Sequence, residues 1–147
     1  METIENKKAN SAVILIDDSA IDNFVNTKII TRYQFANDIF VFSKPLKALK
    51  YLTDLDINLI DEIPFMLFLD LDMPAMNGFE FLEAFSSLPD KLKNHIKIII
   101  LTSSCNPADN ERCIKYNSVV AYFNKPLIKS NLDSLKIILA KNKQQVF

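Results

Sequence analysis

FMLFLDLDMPAMNGFEF, residues 65–81, is the stretch that decides the fold. It opens with five apolar residues, a run typical of a short strand that is buried on both faces of a parallel sheet. Asp70 follows directly, at the end of a strand where open α/β sheets bind ligands. Asp70 alone would also fit a helix N-cap or a solvated loop acid. Gly78 is the single glycine of the chain. It is predicted to lie at a position where the backbone needs a positive φ or where another segment approaches closely.

Length and composition limit the class of protein. The 147 residues, 49% of them hydrophobic, fit one domain with a sizeable core. The 17 basic and 18 acidic residues nearly cancel, which argues against a broad basic surface for nucleic acid. No apolar run reaches the length of a membrane span, and residues 1–10 lack the apolar region of a signal peptide, so the sequence predicts a cytoplasmic protein. Cys105 and Cys113 are expected to be reduced thiols, and His95 a solvated loop residue.

Five strands alternate with five helices in the predicted chain. The predicted strands are 12–16, 38–42, 65–69, 97–101 and 119–123. The helices start near Ser19, Pro45, Phe79, Pro107 and Ser130. The first helix is expected to bury Ile21, Phe24, Val25 and Ile29, the second Leu46, Leu49 and Leu52, and the last Leu132, Leu135, Ile138 and Leu139. A connection that has room for one helical turn is predicted over 54–64 and a polar loop over 87–95.

Polar side chains follow four of the predicted strands. Strictly alternating strands and helices indicate a parallel sheet with helices on both faces. Because crossover connections are right-handed, the carboxyl ends of the strands meet at one edge of the sheet. Four of these ends carry the residues Asp17-Asp18, Asp70, Thr102 and Lys125, which we therefore expect to lie close together.

These side chains predict a particular chemistry. Carboxylates that crowd together are tolerated when they are protonated, paired or bound to a cation. No His or Cys lies at these strand ends, so an all-oxygen site favours Mg²⁺ or Mn²⁺ over Zn²⁺. A Thr hydroxyl and a Lys ammonium can both contact a phosphoryl oxygen. Together the groups indicate a site for phosphoryl transfer onto a carboxylate.

The sequence resembles the receiver domains of bacterial two-component response regulators, of the stand-alone, chemotaxis-regulator-like kind. The resemblance covers about residues 11–142. It rests on Asp17-Asp18, on Asp70 with the following Met73-Pro74-x-Met76-x-Gly78, on Thr102-Ser103 and on Lys125-Pro126, in that order at the strand ends. It implies a flavodoxin-like α/β fold, (βα)5, with a doubly wound parallel sheet of five strands in the order 2-1-3-4-5. Tails are expected over 1–10 and 143–147.

The resemblance also implies a role for each site residue. Asp70 would be the phosphoacceptor, and Thr102 and Lys125 would contact the phosphoryl group. Mg²⁺ (or Mn²⁺) would be held by Asp18 and Asp70 directly, by Asp17 largely through water, and by the backbone carbonyl of Asp72. Thr102 and Tyr122 would be the switch residues. The peptide bond before Pro126 would be cis.

The function implied is that of a single-domain response regulator in a phosphorelay. It would take a phosphoryl group from a sensor histidine kinase or a phosphotransfer protein and signal to a downstream protein through its own surface. It would bind neither nucleic acid nor membrane, and would catalyse only its own phosphorylation and dephosphorylation. The side chain of Asp72 is a further acid near the site, which could raise metal affinity or slow an attacking water.

Two other functions compete with this one. The Asp70-x-Asp72 pair also resembles the nucleophile motif of haloacid-dehalogenase-like phosphatases. In those enzymes, however, the pair lies on the first strand and a distal acid pair comes last, whereas Asp17-Asp18 comes first here. A degenerate receiver that acts only as a docking module is the second alternative, and the intact set of site residues argues against it.

Overall fold

The computed structural model describes residues 12–64 and 66–145. The strands are β1 (Ala12–Ile16), β2 (Asp38–Phe42), β3 (Met66–Leu69), β4 (Lys97–Thr102) and β5 (Val119–Asn124). The helices are α1 (Ala20–Arg32), α2 (Pro45–Thr53), α3 (Gly78–Phe85), α4 (Asp90–His95), α5 (Pro107–Cys113) and α6 (Lys129–Gln145). A 3₁₀ segment, Ile57–Glu62, precedes β3, as expected for the connection before the central strand.

The five strands form one parallel sheet in the order β2-β1-β3-β4-β5, which confirms the predicted flavodoxin-like fold. β3 lies at the centre, paired with β1 on one side and β4 on the other. All four of its residues are buried, as the apolar run predicts for a strand covered on both faces. The carboxyl ends of β1, β3, β4 and β5 are therefore neighbours along one edge.

The core consists of two layers, one on each face of the sheet. Alternate residues of each strand enter opposite layers because side chains along a strand alternate in direction. On β1, Ile14 packs in one layer and Leu15 in the other. The first layer is covered by α2, α3, α4 and α5, and the second by α1 and α6. α5 contributes a single buried side chain, Cys113, to its layer.

The predicted apolar face of α1 is wrong for Ile21, Phe24 and Val25, whereas Ile29 is partly buried and packs against the core. Ile21 is 75% exposed, Phe24 is 62% exposed, and Val25 is also exposed. The helix instead buries Asn23, Asn26 and Ile30. Asn23 is turned inward because its side-chain amide donates a hydrogen bond to the Asp17 carbonyl, 2.8 Å away. The rotation of this helix is thus set partly by polar contacts at the sheet edge.

Two smaller expectations also need correction. In α2 the buried side chains include Ala48 and Leu52, whereas Leu46 is exposed, since it lies about 200° around the helix from Ala48. The loop expected over 87–95 contains α4, which buries Leu92. His95 at the end of α4 is partly buried, with Nε2 2.8 Å from the Ile63 carbonyl oxygen, rather than solvated.

Three further expectations concern the chain ends, the helices as possible membrane spans and the two cysteines. The predicted tail over 1–10 lies outside the described residues, and α6 continues to Gln145, beyond the predicted domain end at 142. Among the helices described, none is both long and apolar enough to cross a bilayer. Cys105 and Cys113 are free thiols, as expected, and burial raises the pKa of Cys113 to about 11.

Candidate functional site

The sheet edge brings together the side chains that the sequence analysis singled out. Asp17 follows β1, Asp70 follows β3, Thr102 ends β4 and Lys125 follows β5. Asp17, Asp70 and Thr102 are all buried, with Thr102 fully so. The Lys125 ammonium lies 2.7 Å from Asp17 Oδ2 and 3.6 Å from Asp70 Oδ2. The predicted convergence of these four residues is confirmed.

Asp70 is fixed by the chain on both sides of it. Its backbone N–H donates to the Ile16 carbonyl, 3.1 Å away, which extends the β1–β3 pairing to the acid. The following loop folds back so that the Gly78 N–H donates to the Leu71 carbonyl at 2.9 Å. A Cβ on Gly78 would lie 2.8 Å from the Asp70 carbonyl oxygen. Close approach, rather than a positive φ, therefore explains the single glycine.

α3 begins directly after this loop with a reciprocal cap. The Asn77 side chain accepts from the Glu80 N–H, and the Glu80 side chain accepts from the Asn77 N–H, each at 2.9 Å. Such a capping box satisfies two of the free donors at a helix start. Because α3 starts at Gly78, the box anchors the far end of the loop that carries Asp72 and holds its backbone near Asp70.

Asp17 is held through both carboxylate oxygens. Oδ1 accepts from the Ser19 N–H at 2.9 Å, and Oδ2 pairs with Lys125. Ser19 also caps α1 by accepting from the Asp22 N–H at 3.1 Å, as predicted. The turn from β1 into α1 therefore fixes both the helix start and the orientation of this acid.

Burial is the main influence on the charge of Asp70. Desolvation, together with the negative charge of Asp17, raises the pKa of Asp70 to about 6. Lys125 and a backbone hydrogen bond from Asp72 act in the opposite direction. Burial alone would lower the pKa of Lys125, but hydrogen bonds to Asp17 and Asp22 outweigh it and raise that pKa. At pH 7 the site therefore holds an ionised Asp70 beside a charged ammonium.

Three acids at the edge fit a divalent cation. One carboxylate oxygen from each of Asp17, Asp18 and Asp70 lies within 4.8 Å of the others. An all-carboxylate donor set suits a hard cation such as Mg²⁺ or Mn²⁺. Asp18 is exposed and faces solvent, whereas the other two are buried, so the group is open on one side. The side chain of Asp72 is exposed as well.

The two predicted switch residues lie on β4 and β5. The Thr102 hydroxyl accepts from the Ser104 N–H at 3.2 Å, and the Thr102 carbonyl accepts from the Lys125 N–H at 2.9 Å. Tyr122 packs its ring against the core, and burial of its hydroxyl raises the pKa of Tyr122. The Lys125–Pro126 peptide bond is cis, in agreement with the resemblance.

Asp22 is the site residue that the sequence analysis missed. Its Oδ2 lies 2.8 Å from the Lys125 ammonium, closer than Asp70 Oδ2 at 3.6 Å. An acid in the first turn of a helix is common because it complements the helix dipole, so Asp22 carries little signal in the sequence. The available signal was its position three residues after the Ser19 cap, on a helix that starts at the sheet edge.

The fold and the edge together define a flavodoxin-like domain with a buried carboxylate, an acidic pair and a lysine at the ends of its parallel strands. The family model described as the response regulator receiver domain matches residues 13–136. This match covers most of the chain, which therefore belongs to the response regulator receiver domain family. The assignment favours the receiver over the dehalogenase-like phosphatase.

Similar solved structures agree with this family. A two-component response regulator from Cytophaga hutchinsonii is 29% identical, with a TM-score of 0.80, over 91% of this chain and 99% of that one. A response regulator receiver protein from Dyadobacter fermentans is 25% identical, with a TM-score of 0.76, over 87% and 97%. The Mn²⁺-bound form of response regulator Rcp1 is 22% identical, with a TM-score of 0.65, over 87% and 88%, and shares the fold. None of the curated proteins compared with the chain matches it.

Proposed function

We propose that Asp70 accepts a phosphoryl group in a reaction that depends on a divalent cation, as the signalling step of a two-component phosphorelay. The observation that carries this proposal is a buried carboxylate with Lys125 on one side and two further acids within reach of the same cation. The Mn²⁺-bound structure of Rcp1 supports the choice of Mg²⁺ or Mn²⁺. The donor is a phosphohistidine of a sensor kinase or phosphotransfer protein, and the compartment is the cytoplasm.

The step itself is a displacement at phosphorus. A lone pair on a carboxylate oxygen of Asp70 forms the new P–O bond while the bond from phosphorus to the donor's nitrogen breaks. The electron pair of that bond stays on the donor's imidazole. Asp70 can act as the nucleophile at neutral pH because its pKa of about 6 leaves most of it ionised. The protein catalyses this transfer, and later hydrolysis, on itself alone.

The neighbouring side chains meet the charge that the new group brings. When bound, the cation neutralises carboxylate charge and stabilises phosphoryl oxygens. Lys125 supplies a positive charge that is already held at the strand edge by Asp17 and Asp22. The Thr102 hydroxyl, at the end of the neighbouring strand, accepts from the Ser104 N–H, so its own proton remains available to donate to a phosphoryl oxygen. The backbone carbonyl of Asp72 is a further oxygen ligand for the cation.

Labelling by a small phosphodonor tests the proposal. The wild-type protein, incubated with acetyl phosphate and Mg²⁺, should gain one phosphoryl group per chain, measured by intact-mass spectrometry. An excess of EDTA should abolish labelling, because a phosphoryl dianion cannot approach crowded carboxylates without a cation. Persistence of the label at full yield in EDTA would contradict the metal requirement. A protein that stays unlabelled with Mg²⁺ would instead support the docking-module alternative.

We further propose that the signal leaves through the surface formed by α5, β5 and α6. Thr102 and Tyr122 lie on the strands beside this surface, so a change at Thr102 can alter the packing of Tyr122. α5 resists such a change weakly, because it buries one side chain and rests on α3 through surface contacts. In α5 the Arg112 guanidinium lies 3.6 Å from the centre of the Phe79 ring, and Tyr116, just beyond the end of α5, donates a hydrogen bond of 2.9 Å to Glu83. Phosphorylation would then shift a population already present in the free protein, to which the downstream protein target binds.

Hydrogen exchange with beryllofluoride tests this route. Beryllofluoride and Mg²⁺ together should change amide protection over residues 102–124, since the fluoride stands in for the phosphoryl oxygens that Thr102 contacts. The change should weaken in Thr102→Ala, which lacks the hydroxyl. A response confined to the loops around Asp70 would mean that the signal leaves elsewhere. Tyr122→Phe keeps the ring and removes the buried hydroxyl, so the change should persist in this variant if the packing of the ring carries the signal.

A further inference from the structure

The Lys125 ammonium is shared unequally among three acids. It lies 2.7 Å from Asp17 and 2.8 Å from Asp22, but 3.6 Å from Asp70. Its side chain is 13% exposed, whereas that of Asp22 is 38% exposed. Asp22 belongs to the first turn of α1 and lies outside the group of three acids that fits a cation. Lys125 thus pairs with Asp17, which a cation would also contact, and with Asp22, which a cation would not contact.

The two roles of Asp17 conflict. Asp17 is the acid nearest to the Lys125 ammonium and is also one of the three acids available to a divalent cation. A cation bound beside Asp17 competes with the ammonium for the negative charge of this carboxylate, so the interaction between Asp17 and Lys125 weakens. Leaving a largely buried ammonium without a partner costs free energy. Weakening the pair between Asp17 and Lys125 therefore opposes binding of the cation. A second carboxylate beside the ammonium reduces that cost.

We propose that Asp22 is a positioning residue, which retains the Lys125 ammonium at the sheet edge while the Asp17 carboxylate interacts with the divalent cation. The inference rests on the proposed function and adds a residue to it. An ammonium carries three N–H donors, so Lys125 can keep its contact with Asp22 and still contact a phosphoryl oxygen. Asp22 therefore strengthens cation binding without being a ligand, and it keeps Lys125 beside Asp70.

A simpler role for Asp22 is stabilisation of the helix start. A carboxylate in the first turn interacts favourably with the helix dipole and would act on α1 alone. That role predicts a change in folding stability with no dependence on Lys125. The two roles therefore differ in whether the effect of Asp22 on cation affinity disappears when the ammonium is removed.

Titration calorimetry with MgCl2 on the full chain separates these roles. In Asp22→Asn the Mg²⁺ affinity should fall by about threefold to tenfold at an ionic strength of about 0.15 M. Asp22→Glu keeps the carboxylate, so its affinity for Mg²⁺ should fall less than that of Asp22→Asn. Asp133→Asn is the control for net charge, since Asp133 pairs with Lys129 on the surface of α6, and it should bind Mg²⁺ as the wild type does. Circular dichroism checks that each variant is folded.

The decisive comparison is made without the ammonium. In a Lys125→Met background, Asp22→Asn should change the Mg²⁺ affinity by less than about twofold, the residual effect of a distant charge. Unchanged affinity in Asp22→Asn, or an equal loss in both backgrounds, would overturn the positioning role. A wild-type protein that binds no Mg²⁺ would overturn the proposed function instead, so the two failures are distinguishable. Should Asp22→Asn fail to fold, Asp22→Ser, which also removes the carboxylate, provides the same comparison in both backgrounds.

Discussion

Asp70→Asn should abolish labelling by acetyl phosphate completely, while the wild type gains one phosphoryl group. Asn keeps the shape of the side chain and removes the carboxylate oxygen that attacks phosphorus. The loss is expected to be total because Asp70, at 5% exposure, is the acid that follows the central strand, whereas Asp17, the other buried acid of the site, is already held by the Ser19 N–H and by Lys125. Intact-mass spectrometry after incubation with acetyl phosphate and Mg²⁺ gives the yield directly.

The matched variant is Asp72→Asn, two residues away. The side chain of Asp72 is exposed, so it lacks the buried setting that holds Asp70 against the ammonium. Asp72→Asn should therefore still be labelled, and peptide mapping should place the group on Asp70. A label of equal yield in Asp70→Asn would show that another acid accepts the phosphoryl group and would refute the assignment.

Without metal, Asp70→Asn should also be more stable than the wild type at alkaline pH. Folding raises the pKa of Asp70 from 3.8 to about 6, so the folded protein pays for its ionisation. This difference in pKa corresponds to about 3 kcal/mol, because a tenfold change in an equilibrium constant is worth about 1.4 kcal/mol. We therefore expect Asp70→Asn to gain about 3 kcal/mol in the free energy of unfolding at pH 8, measured by urea denaturation in EDTA.

The gain should depend on pH in a defined direction. Below the unfolded pKa of 3.8, Asp70 is protonated in both states and its burial brings no penalty of ionisation. The penalty grows as the pH rises toward about 6 and is complete above it. The advantage of Asp70→Asn should thus fall to about half at pH 5. Asp133→Asn controls for loss of one surface charge, and a gain in Asp70→Asn that is absent at pH 8 would contradict the buried, ionised carboxylate.

The sequence was sufficient for the strands and their ends because each short apolar run stops at a polar residue. In a parallel sheet these ends share one edge, so Asp17, Asp70, Thr102 and Lys125 could be placed together before any coordinates were known. Gly78 was also informative, since a single glycine in a long chain is most useful where a Cβ would collide with the backbone of another segment.

The contacts of α1 could not be predicted in the same way. Helical spacing shows that a helix has an apolar face, but the rotation of the helix about its axis is set by what it touches in the folded protein. In α1 the polar contacts of Asp22 and Asn23 at the sheet edge turn Ile21 and Phe24 outward. The role of Asp22 depends on this rotation and on Lys125, which is 103 residues away in sequence.

The single buried side chain of α5 has a consequence for how this protein can diverge after gene duplication. Substitutions at exposed positions usually change stability by less than about 0.5 kcal/mol, so nearly every position of α5 can vary while the fold is retained. The buried acids and the lysine at the sheet edge have no such freedom. Under the proposed function, duplicated copies would therefore diverge in the recognition surface on α5 while keeping the phosphoryl-transfer chemistry at Asp70.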